Sequence, residues 1–135
     1  MRKKFTKQEL VRIIEGLKEY PAVLMPAPEG GFDVIFTNLP GARSYGVLRR
    51  SAIRAGEELL TAEIFSCLLR GETPPRASDP ERLHADEDDP PGTELVMLRV
   101  DKGILYRRLG LKRRQRGEAL KALGLYGKKT PPPRH

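Results

Sequence analysis

Residues 20–46 read YPAVLMPAPEGGFDVIFTNLPGARSYG, and the order of apolar runs and turn formers in this stretch decides the fold. Ala22-Val23-Leu24-Met25 is a short apolar run held between Pro21 and Pro26, with the length and composition of a strand. Pro28-Glu29-Gly30-Gly31 comes next, and its glycines accept the positive φ that a hairpin turn demands. The chain then alternates, with Phe32, Val34 and Phe36 on one side and Asp33, Ile35 and Thr37 on the other. A period of two predicts a strand with one buried face. Asn38-Leu39-Pro40-Gly41 marks a second turn, and Ala42 to Gly46 is long enough for a third strand. Three short strands joined by tight turns make an antiparallel meander.

Upstream, Thr6-Lys7-Gln8-Glu9 has the spacing of a capping box, in which each of Thr6 and Glu9 satisfies the other's backbone N–H. Leu10, Ile13, Ile14 and Leu17 recur at helical spacing, predicting an amphipathic helix over 7–18 that Gly16 weakens and Pro21 ends. Downstream, 48–70 reads as a long helix. Its apolar stripe is drawn through Ala52, Ala55, Leu59, Ala62, Ile64, Phe65, Leu68 and Leu69, with Arg50, Arg54, Glu57, Glu58 and Glu63 on other faces. Gly71 suits a left-handed helix end, and Pro74-Pro75 forbid extension. That stripe would cover the apolar face of the meander.

Residues 72–93 hold two Pro-Pro pairs and Asp86-Glu87-Asp88-Asp89, with Leu83 the sole large aliphatic, and read as a linker. Leu95-Val96-Met97-Leu98-Arg99-Val100 is a near-continuous apolar run, predicting a strand buried on both faces that joins the edge of the meander. Residues 102–124 are helical in character, interrupted at Gly110 and Gly117, and Pro131-Pro132-Pro133 precedes the C-terminus. The expected class is therefore α+β. It divides into an N-terminal helix (1–19), a β-β-β-α-β body (20–71 plus 94–100), an acidic Pro-rich linker (72–93), a basic helical module (101–127) and a disordered tail (128–135).

Charge is unevenly placed along the 135 residues. The formal net charge is +7, but segments 1–19, 20–73, 74–93 and 94–135 carry +3, −1, −4 and +9. A cationic segment appended to a near-neutral body is the footprint of a polyanion binder. Arg107, Arg108, Lys112, Arg113, Arg114 and Arg116 are its densest part and are the candidate nucleic-acid-binding residues. Contacts of this kind go to phosphates, so they give salt-dependent affinity and little sequence selectivity. Tyr106 and Tyr126 read as packing residues of this unit in preference to stacking platforms for bases.

The same inventory argues against chemistry. The single cysteine, Cys67, lies in an apolar run, has no disulfide partner, and reads as a buried structural thiol of a reducing cytoplasm. His84 and His135 have no second ligand at metal-binding spacing. No base accompanies a nucleophile within a common element, and Asp86 to Asp89 lack the fixed turn that would arrange their oxygens around a cation. Gly30-Gly31 and Gly41 belong to hairpin turns and not to a phosphate loop. No apolar stretch approaches the roughly 20 residues that span a bilayer, and Met1-Arg2-Lys3-Lys4 is followed by charges unlike a signal peptide. The expectation is a cytoplasmic binding protein, not an enzyme, with no cofactor and no metal.

The central segment resembles the HicB antitoxins, partners of HicA toxins in type II toxin–antitoxin pairs. The resemblance rests on Tyr20-Pro21-Ala22-Val23, Gly30-Gly31-Phe32, Val34, Phe36, Leu39-Pro40-Gly41, Gly46, and a helix bearing Ala52, Glu58 and Leu60, and covers about residues 20–70. Asn38, Ala42, Val47 and Ala55 depart from the residues usual at those places. The resemblance implies a degenerate ribonuclease H-like β-β-β-α-β unit without catalytic carboxylates. It also implies a C-terminal DNA-binding module. Leu105 to Leu111 would be the first helix and turn of a helix-turn-helix, with Lys112 to Leu123 as recognition helix, although Arg116-Gly117 falls where an apolar residue normally packs. A ribbon-helix-helix with Leu98 to Val100 as ribbon leaves too few residues for two helices, so a shortened or decayed module stays open.

The resemblance implies an antitoxin that neutralises a HicA-like mRNA-cleaving toxin and represses its own operon by binding operator DNA. Such a protein would form a homodimer or higher homo-oligomer and would make no membrane contact. In this family the toxin is generally basic, which makes the acidic stretch 79–89 a candidate contact for it; the alternative is that 79–89 screens the protein's own basic tail. The alternative is a stand-alone nucleic-acid-binding accessory protein that uses the HicB-like body for dimerisation. A nuclease is the third and weakest reading.

Overall fold

The computed structural model describes residues 4–83 and 87–112. In chain order the elements are α1 (Lys7–Glu15), β1 (Tyr20–Pro26), β2 (Phe32–Phe36), β3 (Arg43–Gly46), α2 (Arg49–Leu69), a 3-10 turn (Pro80–Arg82), β4 (Glu94–Leu98) and α3 (Lys102–Arg108). The four strands form one antiparallel sheet in the order β3-β2-β1-β4; the later strand joins the edge of the meander, as the sequence predicts, and the edge it takes is β1. This is the expected α+β architecture, with a helix laid on one face of the sheet.

Register fixes which side chains share a face. Leu24 lies opposite Val34, Val34 opposite Ser44, Phe32 opposite Gly46, and Tyr20 opposite Leu98. These residues face α2. A Cβ on Gly56 of that helix would lie 3.0 Å from Leu98, 3.2 Å from Val34 and 3.4 Å from Ser44. Gly46 permits the closest approach: a Cβ there would stand 2.2 Å from the backbone nitrogen of Ala52, so only glycine lets α2 start against β3. Leu24, Val34, Leu60, Ile64 and Leu98 are almost fully buried between the two layers.

Three expectations need correction. The first helix stops at Glu15, short of 18: Gly16 shares its N–H between the carbonyls of Arg12 and Ile13, and Leu17 reaches back only three residues to Ile14, so the last turn tightens and the α-helical pattern ends. Its buried residues are Leu10, Val11 and Ile14, while Ile13 and Leu17 pack at the margin of the core. The buried stripe of α2 runs through Ala52, Gly56, Leu60, Thr61, Ile64, Cys67 and Leu68. Of the residues assigned to it from sequence, Ala62 is exposed, Leu69 is 54% exposed, and Ala55, Leu59 and Phe65 are half-buried. Thirdly, β4 is an edge strand buried on one face, through Val96 and Leu98, while Leu95 and Met97 stay half-buried.

Local chemistry closes the ends as the sequence implies. The Thr6–Glu9 capping box is formed, with N–H···O distances of 3.1 and 2.8 Å. After α2, Gly71 adopts a φ of 73°, and the N–H of Glu72 reaches the Cys67 carbonyl at 2.9 Å, completing a Schellman end. The stretch beyond is tied to the sheet. Tyr20 Oη donates to the Pro75 carbonyl, and Asn38 exchanges two hydrogen bonds with Ser78, of 2.7 and 3.1 Å.

Candidate functional site

The cationic segment begins on α3, and α3 is anchored in the body. Asp101 opens the helix by accepting from the Ile104 N–H at 3.1 Å, while its own N–H donates to the buried Thr61 hydroxyl at 3.0 Å. Thr61 in turn donates to the Glu57 carbonyl at 2.8 Å, so this one hydroxyl links the middle of α2 to the start of α3. Leu105 and Leu111 are both in the core. Tyr106 Oη donates to the Glu15 carboxylate at 2.8 Å, and Lys102 Nζ reaches the Glu15 carbonyl at 3.3 Å, fastening α3 to the end of α1. Gly110, at φ 68°, ends the helix, with the Leu111 N–H on the Tyr106 carbonyl at 2.8 Å.

That packing sets where the cations go. Arg107 and Arg108 occupy the last turn of α3 and are exposed, as is Lys112 just beyond it. Cations at a helix C-terminus offset the partial negative charge there, which is their local structural role. The Arg108 guanidinium sits 5.7 Å from the centre of the Phe65 ring, a cation–π contact that holds one side chain of the cluster along α2. Arg113, Arg114 and Arg116, and with them the helix expected from Lys112 to Leu123, lie outside the described residues. The structure therefore brings Arg107, Arg108 and Lys112 to one end of the body and leaves the rest of the expected cluster without placement.

Beside α3, a groove runs between the end of α1, the middle of α2 and the turn after β4. Lys18, Arg54, Arg99 and Lys102 line it together with Glu19, Glu57, Glu58 and Asp101, so it carries both signs equally. The acid Glu57 accepts from the Arg99 N–H at 2.8 Å, which is a structural use. At the opposite end of the sheet, Arg49 clasps Glu94 through two hydrogen bonds of 2.7 and 3.1 Å. That guanidinium holds the Glu94 carboxyl below the usual carboxylate range. Cys67 is buried, and its Sγ lies 3.7 Å from an Arg70 nitrogen. Among the described residues no group of three or more His, Cys, Asp or Glu side chains could hold a metal ion. The arrangement presents surfaces for binding, with a mixed-charge groove and a cationic helix end as its most distinctive polar features.

No protein-family model matches the sequence, and no curated protein matches it. Solved structures do. The antitoxin HicB of Burkholderia pseudomallei superposes with a TM-score of 0.57 at 17% identity, over 84% of this chain and 100% of that one. The fold is that of HicB. A chain of a toxin–antitoxin complex from Streptococcus pneumoniae matches with a TM-score of 0.54 at 18% identity, over 79% and 97%. One from a HicA3 and HicB3 toxin–antitoxin complex gives 0.51 at 24% identity, over 62% and 99%. The HicB-like sheet and helix expected from residues 20–70 are thus present, and the likeness extends beyond them. In this HicB-like fold the sequence reading overlooked Thr61 and Glu15 as the residues that fasten α3. A threonine among the apolar residues of a long helix is the signal that could have pointed to the first.

Proposed function

We propose that this chain is an antitoxin that binds and neutralises a HicA-like mRNA-cleaving toxin and represses its own operon. The observation that carries the reading is the match in fold along the whole length of a HicB antitoxin chain. Its role is to bind, without catalysis, in the cytoplasm; no described helix is long and apolar enough to cross a membrane. Arg107, Arg108 and Lys112, with Arg113, Arg114 and Arg116, contact operator DNA through its phosphates. The acidic residues between Asp79 and Asp89 meet the toxin.

The test is co-expression with the small reading frames beside the gene. The expected result is a stable complex with one product, and relief by this chain of the growth arrest and mRNA cleavage that product causes alone. Absence of any toxic neighbour, or toxicity unchanged by this chain, overturns the reading. For DNA, each of Arg107→Ala and Arg108→Ala should weaken promoter binding and lower the salt slope by about 1. The accessory nucleic-acid-binding reading is favoured instead if generic RNA binds as tightly as the promoter at moderate salt.

A further inference from the structure

Two arginines end α3 side by side, and the fold treats them differently. The guanidinium of Arg108 lies 5.7 Å from the centre of the Phe65 ring on α2, while Arg107 makes no such contact. Both arginines are exposed, and Phe65 is half-buried at the margin of the core. The geometry beneath this contact is fixed. The Asp101 N–H donates to the buried Thr61 hydroxyl at 3.0 Å, and Leu105 is fully buried. Thr61 and Phe65 are four residues apart, so they share a face of α2 on neighbouring turns. The hydroxyl that holds the start of α3 and the ring that meets its end therefore belong to one side of one helix.

How a cation is held decides what it can still do. Arg49 is held by Glu94 through hydrogen bonds of 2.7 and 3.1 Å, and Arg70 by Glu72 at 3.2 Å. In both, a carboxylate offsets the charge and takes up N–H donors. An aromatic ring attracts a guanidinium to its face, so it neither cancels the charge nor accepts the in-plane N–H groups. Among the described residues, no hydrogen bond or ion pair engages Arg108. Its swing is restricted while its fork of donors stays open to two oxygens of a phosphate. Ordering a long side chain costs affinity at the moment of binding, and a side chain already held escapes part of that cost. We propose that Phe65 is a positioning residue for nucleic acid, its ring pre-orienting Arg108 toward a DNA phosphate. The inference rests on the DNA-binding reading above and adds a residue of α2 to it.

The experiment is a double-mutant cycle on binding of the full chain to the duplex immediately upstream of its gene, with circular dichroism to verify folding. Phe65→Leu should weaken binding about two- to fivefold, the size of a surface cation–π contact expressed as affinity. Phe65→Tyr keeps the ring and should bind like the wild type. The weakening should persist in an Arg107→Ala background and vanish in an Arg108→Ala background. Salt separates orientation from charge: Phe65→Leu should leave the salt slope unchanged, whereas Arg108→Ala lowers it by about 1. If Phe65→Leu fails to fold, Phe65→Met, which fills the space with a flexible chain, is read in the same cycle. Equal weakening with and without Arg108, no weakening, or weakening that Phe65→Tyr shares overturns the inference and leaves the DNA reading intact. Unfolding of both ring-free variants would make the ring a structural residue and overturns it likewise. A wild type that binds no DNA defeats the DNA reading itself, and the inference with it.

Discussion

Tyr20 shows how much one side chain does that its place in the sequence does not announce. Its ring is 2% exposed, and its hydroxyl donates to the Pro75 carbonyl, holding the chain after α2 against the first strand. Burial, and secondarily the neighbouring Cys67, raise its ionisation above that of an ordinary tyrosine. The folded state therefore favours the neutral phenol. The stabilising effect is whole below the unfolded tyrosine value of about 10 and fades as pH climbs from there toward the folded value. Tyr20→Phe should cost about 1 kcal/mol at neutral pH by leaving the Pro75 carbonyl short of a partner. It should also flatten the decline in stability above pH 10, as denaturant titrations at two pH values would register. From sequence, Tyr20 marks the start of a strand; that its hydroxyl finds a carbonyl 55 residues away depends on where the prolines bring the chain back.

At the level of elements, the correction to α2 has a clear cause. Both stripes, through Ala55 and Leu59 or through Gly56 and Leu60, have helical spacing, and the helix is only weakly amphipathic. Ranking by hydrophobicity rejects the true stripe because it contains Gly56 and Thr61. Those two residues are what the packing requires. Gly56 lets the helix approach Val34 and Leu98, and Thr61 supplies the hydroxyl that α3 needs. Leu60→Ala should accordingly cost about 2–5 kcal/mol, whereas Leu59→Ala, one residue away, should cost about 1 kcal/mol or less. Chemical denaturation of the pair would distinguish the two stripes. The strands were more legible, since alternation in β2 and the glycine turns leave one register open. For β4, composition alone suggests burial on both faces, but α2 covers only one face of the sheet, so Leu95 and Met97 on the other are half-covered, as are Val23 and Ile35 on the inner strands.

For the molecule as a whole, α3 is where the body and the cationic segment meet. Leu105 is fully buried and Leu111 nearly so, and α3 is hydrogen-bonded to α1 and α2, so the first cations rest on the core of the fold. Leu105→Ala should destabilise the whole protein by about 2–5 kcal/mol in a single cooperative transition. A second transition at low denaturant, with the sheet surviving it, would show instead that α3 unfolds by itself. The candidate site was legible in part for the same reason: a run of Arg and Lys is visible in any sequence, and Arg107 and Arg108 are indeed exposed. The Phe65 ring beneath Arg108 and the Glu15 partner of Tyr106 belong to other elements and have no local signature.

Short-range chemistry is what the amino-acid order determined by itself: the strand periods, the Thr6–Glu9 cap, the turns at Gly30-Gly31, Gly41 and Gly71, and the clustering of positive charge toward the C-terminus. Each depends on residues within a few positions of one another, where backbone sterics and hydrogen bonding leave few solutions. Tertiary structure alone decided which stripe of α2 faces the sheet, which side of β4 is covered, and that α3 is held by Thr61 and Glu15. These choices turn on close approach and on partners tens of residues apart, and a glycine or a threonine settles them as firmly as a leucine does.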